Sequence, residues 1–158
     1  MTQAHTQELV EVHLLGLPLD LLAAAQEHGE ELQREFLHVA EADSDSVPAR
    51  LNALSQQLRG QYGAFTVQAQ AEIDAAAARG DSTIDVVFQV PPDVADAAAQ
   101  LWALLDEADE YCRAGDLLTL APTAEQVTLR TWYLSQFIDQ TKGAEPVPFS
   151  EYAAGRPP

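Results

Sequence analysis

The stretch VVFQVPPDVADAAAQLW, residues 86–102, decides the fold prediction. It begins with the apolar residues of a strand, passes through two prolines and continues as an alanine-rich helix, since proline suits the first turn of a helix. Residues 12–28, VHLLGLPLDLLAAAQEH, follow the same order. The sequence therefore predicts two strands, each followed by a helix that opens with proline.

A shift of 74 positions aligns these two stretches. It places Val12 on Val86, and it also places Pro48 on Pro122, where each proline opens a further helix. Ser46 and Thr123 are the predicted caps of these two helices. Self-similarity of this kind indicates repeated units that bury together what neither buries alone. The fold we predict is a helix-rich α+β domain, in which two strand–helix–helix repeats pack pseudo-symmetrically around a small central sheet. The alternative is chance, because prolines at helix starts and matched alanines are common.

The repeats span residues 8–79 and 82–142, all within one domain of residues 1–158, and a proline-rich tail, 143–158, follows them. The tail holds too many prolines for a helix and either packs along the surface or is disordered. Within the first repeat, glycines at 60 and 63 predict a break or a kink in the helix.

Charge limits the choice of partner. The chain has 25 acidic and 8 basic residues and a net charge of −17. Such a surface repels nucleic-acid phosphates and anionic lipids, so neither is an expected partner. Basic proteins or basic helices fit better, although an acidic surface also serves solubility alone.

No catalytic or cofactor motif is present. The sequence lacks the glycine-rich loops that bind phosphates and the G-x-S-x-G turn of serine hydrolases. Cys112 is the only cysteine, and acidic neighbours oppose its thiolate, so we predict a packed thiol rather than a nucleophile. The N-terminal residues do not resemble a secretory leader, and no apolar run could span a bilayer. We expect a cytoplasmic protein without a cofactor.

Glutamates on the first helix and aromatic residues on the last are the candidates for a partner-binding surface. An exposed aromatic beside an arginine is typical of protein contacts, although packing against the tail would explain the same residues. The candidate residues are Glu27, Glu30, Glu31, Glu35, Arg130, Trp132 and Tyr133.

A metal or small-molecule site between the two repeats is the alternative. Glu35 and His38 form a Glu-x-x-His step, and His28 and Glu31 lie one turn apart. Carboxylate-bridged di-iron sites need two such steps and two more carboxylates, whereas this chain has one step. His28 is also a candidate phosphoacceptor, though its neighbours are acids rather than cations.

A further acidic group lies in the helix of the second repeat. Asp106, Asp109 and Glu110 are helical neighbours and either form an acid–base or magnesium site or line a solvated face.

Two stretches, LPLDLLAAAQEHGEELQREF at 17–36 and LWALLDEADEYCRAGDLLTLAPTAEQVTLRTWYLSQFIDQ at 101–140, resemble uncharacterised acidic proteins of high-GC bacteria. These proteins are associated with gene clusters of partner-switching regulators, which hold anti-sigma kinases, their antagonists and PP2C-type phosphatases. The resemblance implies a signalling role and carries over no catalytic residue. Residues 10–26 are also similar to the start of GHKL-type anti-sigma kinases, but the Asn-bearing helix and the D-x-G-x-G loop that bind ATP there are absent from this sequence.

Taken together, these features predict a non-catalytic regulatory or adaptor protein that binds a partner protein and self-associates as a homodimer.

Overall fold

The computed structural model describes residues 8–42, 45–114 and 122–155, with the backbone alone for 37–42. The prediction of a helix-rich α+β fold is confirmed, because five helices accompany two antiparallel strands in the described part of the chain. In chain order the elements are β1 (Val10–Pro18), α1 (Leu19–Ala42), α2 (Val47–Ala78), β2 (Thr83–Val90), α3 (Val94–Ala114), α4 (Ala124–Gln140) and α5 (Phe149–Ala154).

The two strands pair directly, as the predicted central sheet requires. Val12 lies opposite Phe88 and Leu14 opposite Val86 in the antiparallel register. These four side chains are buried, so the alternating pattern correctly identifies the inner face of the sheet. The inner face meets the helices in the main hydrophobic core, to which Trp132 of α4 also belongs.

A β-bulge lies in the middle of β1. Gly16, at a positive φ of 66°, lies in the segment between Leu14 and Leu17 where the register shifts by one residue. The extra residue resets the alternation, so both leucines are buried although three positions separate them. Gly16 does not end the strand. Its backbone N–H donates to the Asp85 carboxylate at 2.7 Å, and the pairing continues to Pro18, where β1 ends.

Helix α2 is continuous, and the predicted break at Gly60 and Gly63 is wrong. Buried Tyr62 lies between the two glycines and half-buried Phe65 follows them, both packed with the main core. Because most helical stability comes from packing an apolar stripe, this burial outweighs about 1 kcal/mol of lost helix propensity for each glycine.

Side chains cap the helices where the sequence predicted them. The Ser46 hydroxyl accepts from the N–H of Ala49 at the start of α2. Thr123 and Gln126 form a reciprocal capping box at the start of α4, with both hydrogen bonds at 3.1 Å. Prolines 48 and 122 lie beside these caps.

The outer edge of β1 is closed by a side chain rather than by a third strand. The N–H of His13 donates to Oε1 of Gln140 at 2.8 Å, and Nε2 of Gln140 donates to the carbonyl of His13 at 2.9 Å. The same Nε2 donates to Oε1 of Gln136 at 2.7 Å. The buried amide of Gln140 thus satisfies both backbone groups that His13 presents at this edge.

The tail packs against α4 up to residue 155. Of the two possibilities predicted for the tail, these residues follow the first, which is packing along the surface. Oε1 of Gln136 accepts from the N–H of Val147, whose carbonyl accepts from the indole N–H of Trp132 at 2.7 Å. Phe149 meets Trp132 edge to face at 5.3 Å. The short helix α5 was not predicted, and it begins after Pro148, which lies outside the helix and does not interrupt it.

The duplication itself stays a prediction. The register that pairs Val12 with Phe88 and Leu14 with Val86 is the one that a two-fold axis between strands aligned at an offset of 74 would produce. The helices differ, however, since α2 has 32 residues and α4 has 17. A short strand that the sequence suggested at 116–120 lies outside the described residues.

Replacing Gln140 by alanine tests the closure of the β1 edge. The Gln140→Ala variant should lose about 2 kcal/mol of unfolding free energy, because two backbone groups of His13 lose their partner in a buried site. Urea unfolding followed by circular dichroism measures this loss. Asp139→Ala removes an exposed side chain from the same helix and should change stability by less than about 0.5 kcal/mol. Equal losses in the two variants would contradict this account of the edge.

Candidate functional site

Four exposed glutamates form an acidic face on α1. Glu27, Glu31 and Glu35 recur every four residues and Glu30 lies beside them, so the four span an arc of about 140°. Arg34 lies within the arc and leaves a net charge of −3. We refer to these five residues as the acidic face. The structure thus brings together all four glutamates that the sequence singled out.

The acidic face has no intramolecular ion pair with an arginine or lysine in the part of the chain that the structure describes. Arginines elsewhere do find carboxylates. The pairs are Arg50–Glu107, Arg79–Asp81, Arg113–Glu110 and Arg130 with Asp106 and Asp109. Negative charge therefore accumulates on α1 while it is balanced on the neighbouring helices.

Arg130 is a structural residue, which corrects its expected place on a partner-binding surface. Its guanidinium donates to Asp109 from Nη2 at 2.8 Å and from Nη1 at 3.3 Å. Nη2 also donates to Asp106 at 3.3 Å. The side chains of Arg130 and Asp109 are only 17% and 11% exposed, whereas that of Asp106 is 61% exposed. Two of the three carboxylates considered for catalysis or magnesium, Asp106 and Asp109, thus join α3 to α4, whereas Glu110 pairs with Arg113 within α3.

Trp132 is also unavailable to a partner. It is fully buried between the core and the tail, and in that position its indole N–H donates to the Val147 carbonyl. Tyr133 is half-buried and packs against Phe88 and Phe137 of the core. The alternative interpretation of these aromatic residues, packing against the tail, therefore accounts for the position of Trp132.

The proposed metal ligands do not assemble within the described residues. No three histidine, cysteine or carboxylate side chains lie close enough there to hold a metal ion. His28 and Glu31 lie on the described part of α1, and His28 has interactions of its own. The side chain of His38 lies outside the described part.

A first cavity, of about 500 Å³, lies between α1 and α2. Its floor is apolar, with Leu32, Phe36 and Leu51, and Glu30 of the acidic face is part of its wall. An apolar recess thus adjoins the acidic face, which is an arrangement suited to a partner that carries both apolar and cationic groups.

A second cavity, of about 300 Å³, lies between α1, α3 and α4 and meets the first at Gln26 and Leu105. Five leucines form half of its lining, and Tyr133 is also part of its wall. Part of Tyr133 reaches solvent, yet burial raises the pKa of its hydroxyl to about 12. The cavity joins the first predicted repeat to the second, but His28, Glu31 and Glu35 do not line it.

Cys112 is buried beside Phe36 and Leu104 in a small second cluster of apolar residues. Burial, reinforced by Asp109 and partly offset by Arg113, raises the pKa of its thiol. This environment agrees with a packed thiol, as the sequence predicted, and opposes nucleophilic chemistry at neutral pH.

No protein-family model, curated protein or solved structure matches this chain. In the described ranges, no helix combines the length and apolarity needed to cross a lipid bilayer.

Two interactions that sequence reasoning missed could have been found from helix periodicity. Gln136 and Gln140 share the buried side of α4 with Leu129 and Trp132, at spacings of three, four and four residues. Asp109 likewise interrupts the apolar stripe of α3. A polar residue within an apolar stripe needs a buried partner, and that need was the available signal.

Removing the guanidinium tests the role of Arg130. The Arg130→Met variant should lose about 3 kcal/mol of unfolding free energy, because Asp109 would remain buried as an uncompensated charge. Arg50→Met breaks an exposed pair with Glu107 and should cost at most about 1 kcal/mol in the same urea titration. A loss for Arg130→Met no larger than that control would show that the pair with Asp109 is not structural.

Proposed function

We propose that this chain is a non-catalytic regulatory or adaptor protein that binds a basic partner protein through the acidic face of α1. The observation that carries the proposal is the set of four exposed glutamates that find no cation within the described residues. Unbalanced charge on one face speeds encounter with a complementary surface and discourages other partners.

The first cavity supports the same proposal. Glu30 connects the acidic face to an apolar recess of about 500 Å³, so a partner could place one apolar side chain in the recess beside its cations. Desolvated apolar anchors supply most of the affinity in protein interfaces, while rim charges supply steering.

The setting we propose is a partner-switching signalling pathway in the cytoplasm, as the resemblance of residues 17–36 and 101–140 implies. Self-association is also part of the proposal. A homodimer would have to use another surface, because two acidic faces would repel each other.

Charge reversal on α1 tests the binding surface. Tagged protein is purified gently from its own host and weighed by native mass spectrometry, in the native form and as Glu31→Lys/Glu35→Lys. We expect a second polypeptide with the native form and at least about a tenfold loss of it with the double variant, since two attractive contacts become repulsive.

The matched control is Glu145→Lys/Glu151→Lys, which makes the same change in net charge at two exposed positions of the tail. It should retain the partner. Loss of the partner from both double variants would point to net charge alone, and retention in the α1 variant would refute the acidic face as the interface.

Binding of a small molecule is the second candidate function, and the second cavity favours it. An apolar space of about 300 Å³ with Tyr133 in its wall suits a small, uncharged, largely apolar compound. Its position between α1 and the helices α3 and α4 agrees with a ligand site between the two predicted repeats.

Filling the cavity tests this candidate. Ala25→Met adds volume to the cavity wall, whereas Ala24→Met adds the same volume at an exposed neighbouring position. Native mass spectrometry of protein from the host should show added ligand mass with Ala24→Met and none with Ala25→Met. Equal ligand mass in both variants would place the ligand elsewhere.

A further inference from the structure

A cleft of about 490 Å³ lies between the outer face of the sheet and α2, away from the acidic face. Leu9, Phe65 and Val87 contribute apolar surface to its wall. The side chain of Val87 points away from the core, since its neighbours Val86 and Phe88 are buried and Val87 is 39% exposed. The cleft therefore exposes these apolar side chains among polar ones, since Glu11, Asp85 and Gln89 lie on the same uncovered face of the sheet.

Exposed apolar surface concentrates at this cleft. Among the described residues, three large hydrophobic side chains are exposed, and they are Leu9, Val67 and Val87. Leu9 and Val87 line the cleft, whereas Val67 lies outside it on another face of α2. An antiparallel sheet with one buried face normally carries polar residues on the other face, and Val87 is the exception among the strand residues that line this cleft. The cleft therefore offers apolar and polar contacts side by side.

The charges around the cleft are all negative. Glu11, Glu72 and Asp85 line it, and no arginine or lysine does. Glu11 is 3.4 Å from His13, and Asp85 accepts from the N–H of Gly16, but Glu72 has no ion pair within the described ranges. This charge pattern selects a cationic occupant and opposes a second copy of this acidic chain.

The α2 wall has the spacing that one helix presents to another. Phe65, Gln68, Ala69 and Glu72 lie at positions i, i+3, i+4 and i+7 of α2 and all line the cleft. A helix placed here would contact this stripe on one side and the uncovered sheet face beneath it, in the manner of helices that dock into grooves.

We propose that the cleft is a docking site for a basic amphipathic helix of a partner protein. The apolar side of that helix packs on Leu9, Phe65 and Val87, and its lysines or arginines meet Glu11 and Glu72. The site shares no residue with the acidic face, so the proposal does not depend on the function proposed for α1. With both surfaces in use, the chain would join two partners.

A synthetic peptide tests the site. The probe is a helical leucine–lysine peptide built from two copies of LKKLLKL, titrated into isotope-labelled full-length protein and followed by the amide resonances. We expect the largest resonance changes at residues 65–72 and 85–89. A peptide with glutamate in place of lysine should cause none, because its charge matches that of the cleft.

Variants separate the cleft from non-specific attraction. Val87→Ser and Glu72→Gln should each weaken peptide binding about fivefold, through lost apolar contact and lost charge pairing respectively. Val67→Ser and Glu151→Gln are the matched controls outside the cleft and should weaken it less than about twofold. All four side chains are exposed, so the variants are expected to stay folded.

Three results would overturn the proposal. The first is an absence of resonance changes at residues 65–72 and 85–89, whether or not the peptide also shifts residues 27–35 of α1. The second is equal affinity of the native protein and the two cleft variants. The third is a set of changes at the cleft that follows protein concentration without peptide, which would assign the cleft to a second copy of this chain.

Discussion

The side-chain amide of Gln140 supplies to β1 the two hydrogen bonds that a third strand would otherwise supply. A sheet of two strands has unsatisfied edges, and closing one of them fixes where α4 must run. Gln136 holds that amide in place and also binds Val147, so the position of the tail follows from the same network. Sheet, α4 and tail are therefore one interdependent unit.

Helix α1 differs from that unit in the charge and the shape of the surface that it exposes. Its inner side borders two cavities, and its outer side carries four glutamates with a single arginine, Arg34, among them. The uncovered face of the sheet offers a second acidic surface with apolar residues at its centre. Two separate surfaces of the same charge suit a chain proposed to bring basic partners together rather than to transform a substrate.

The sequence was most informative where periodicity and capping act locally. Alternation identified the buried faces of β1 and β2, and Ser46 and Thr123 marked two helix starts. The sequence was least informative where contacts between residues that are distant in the chain determine the structure. Gly60 does not break α2, because core packing holds the helix. Trp132 lies in the core, where a carbonyl 15 positions away accepts its N–H. The four glutamates were found because exposed charge on a helix needs no long-range partner, whereas the outer sheet cleft joins residues from three separate segments.

The pairing of β1 with β2 also sets the order in which the chain can fold. Val12 meets Phe88, 76 positions later, and both long helices of the first half lie between them. Contacts of such separation form slowly, because a long loop must close before they stabilise anything. During synthesis β1 leaves the ribosome before β2, with which it pairs. Gln140, which bonds to the other edge of β1, is made later still. The α1–α2 hairpin can form in that interval, so helix packing precedes the sheet that the finished structure is built around.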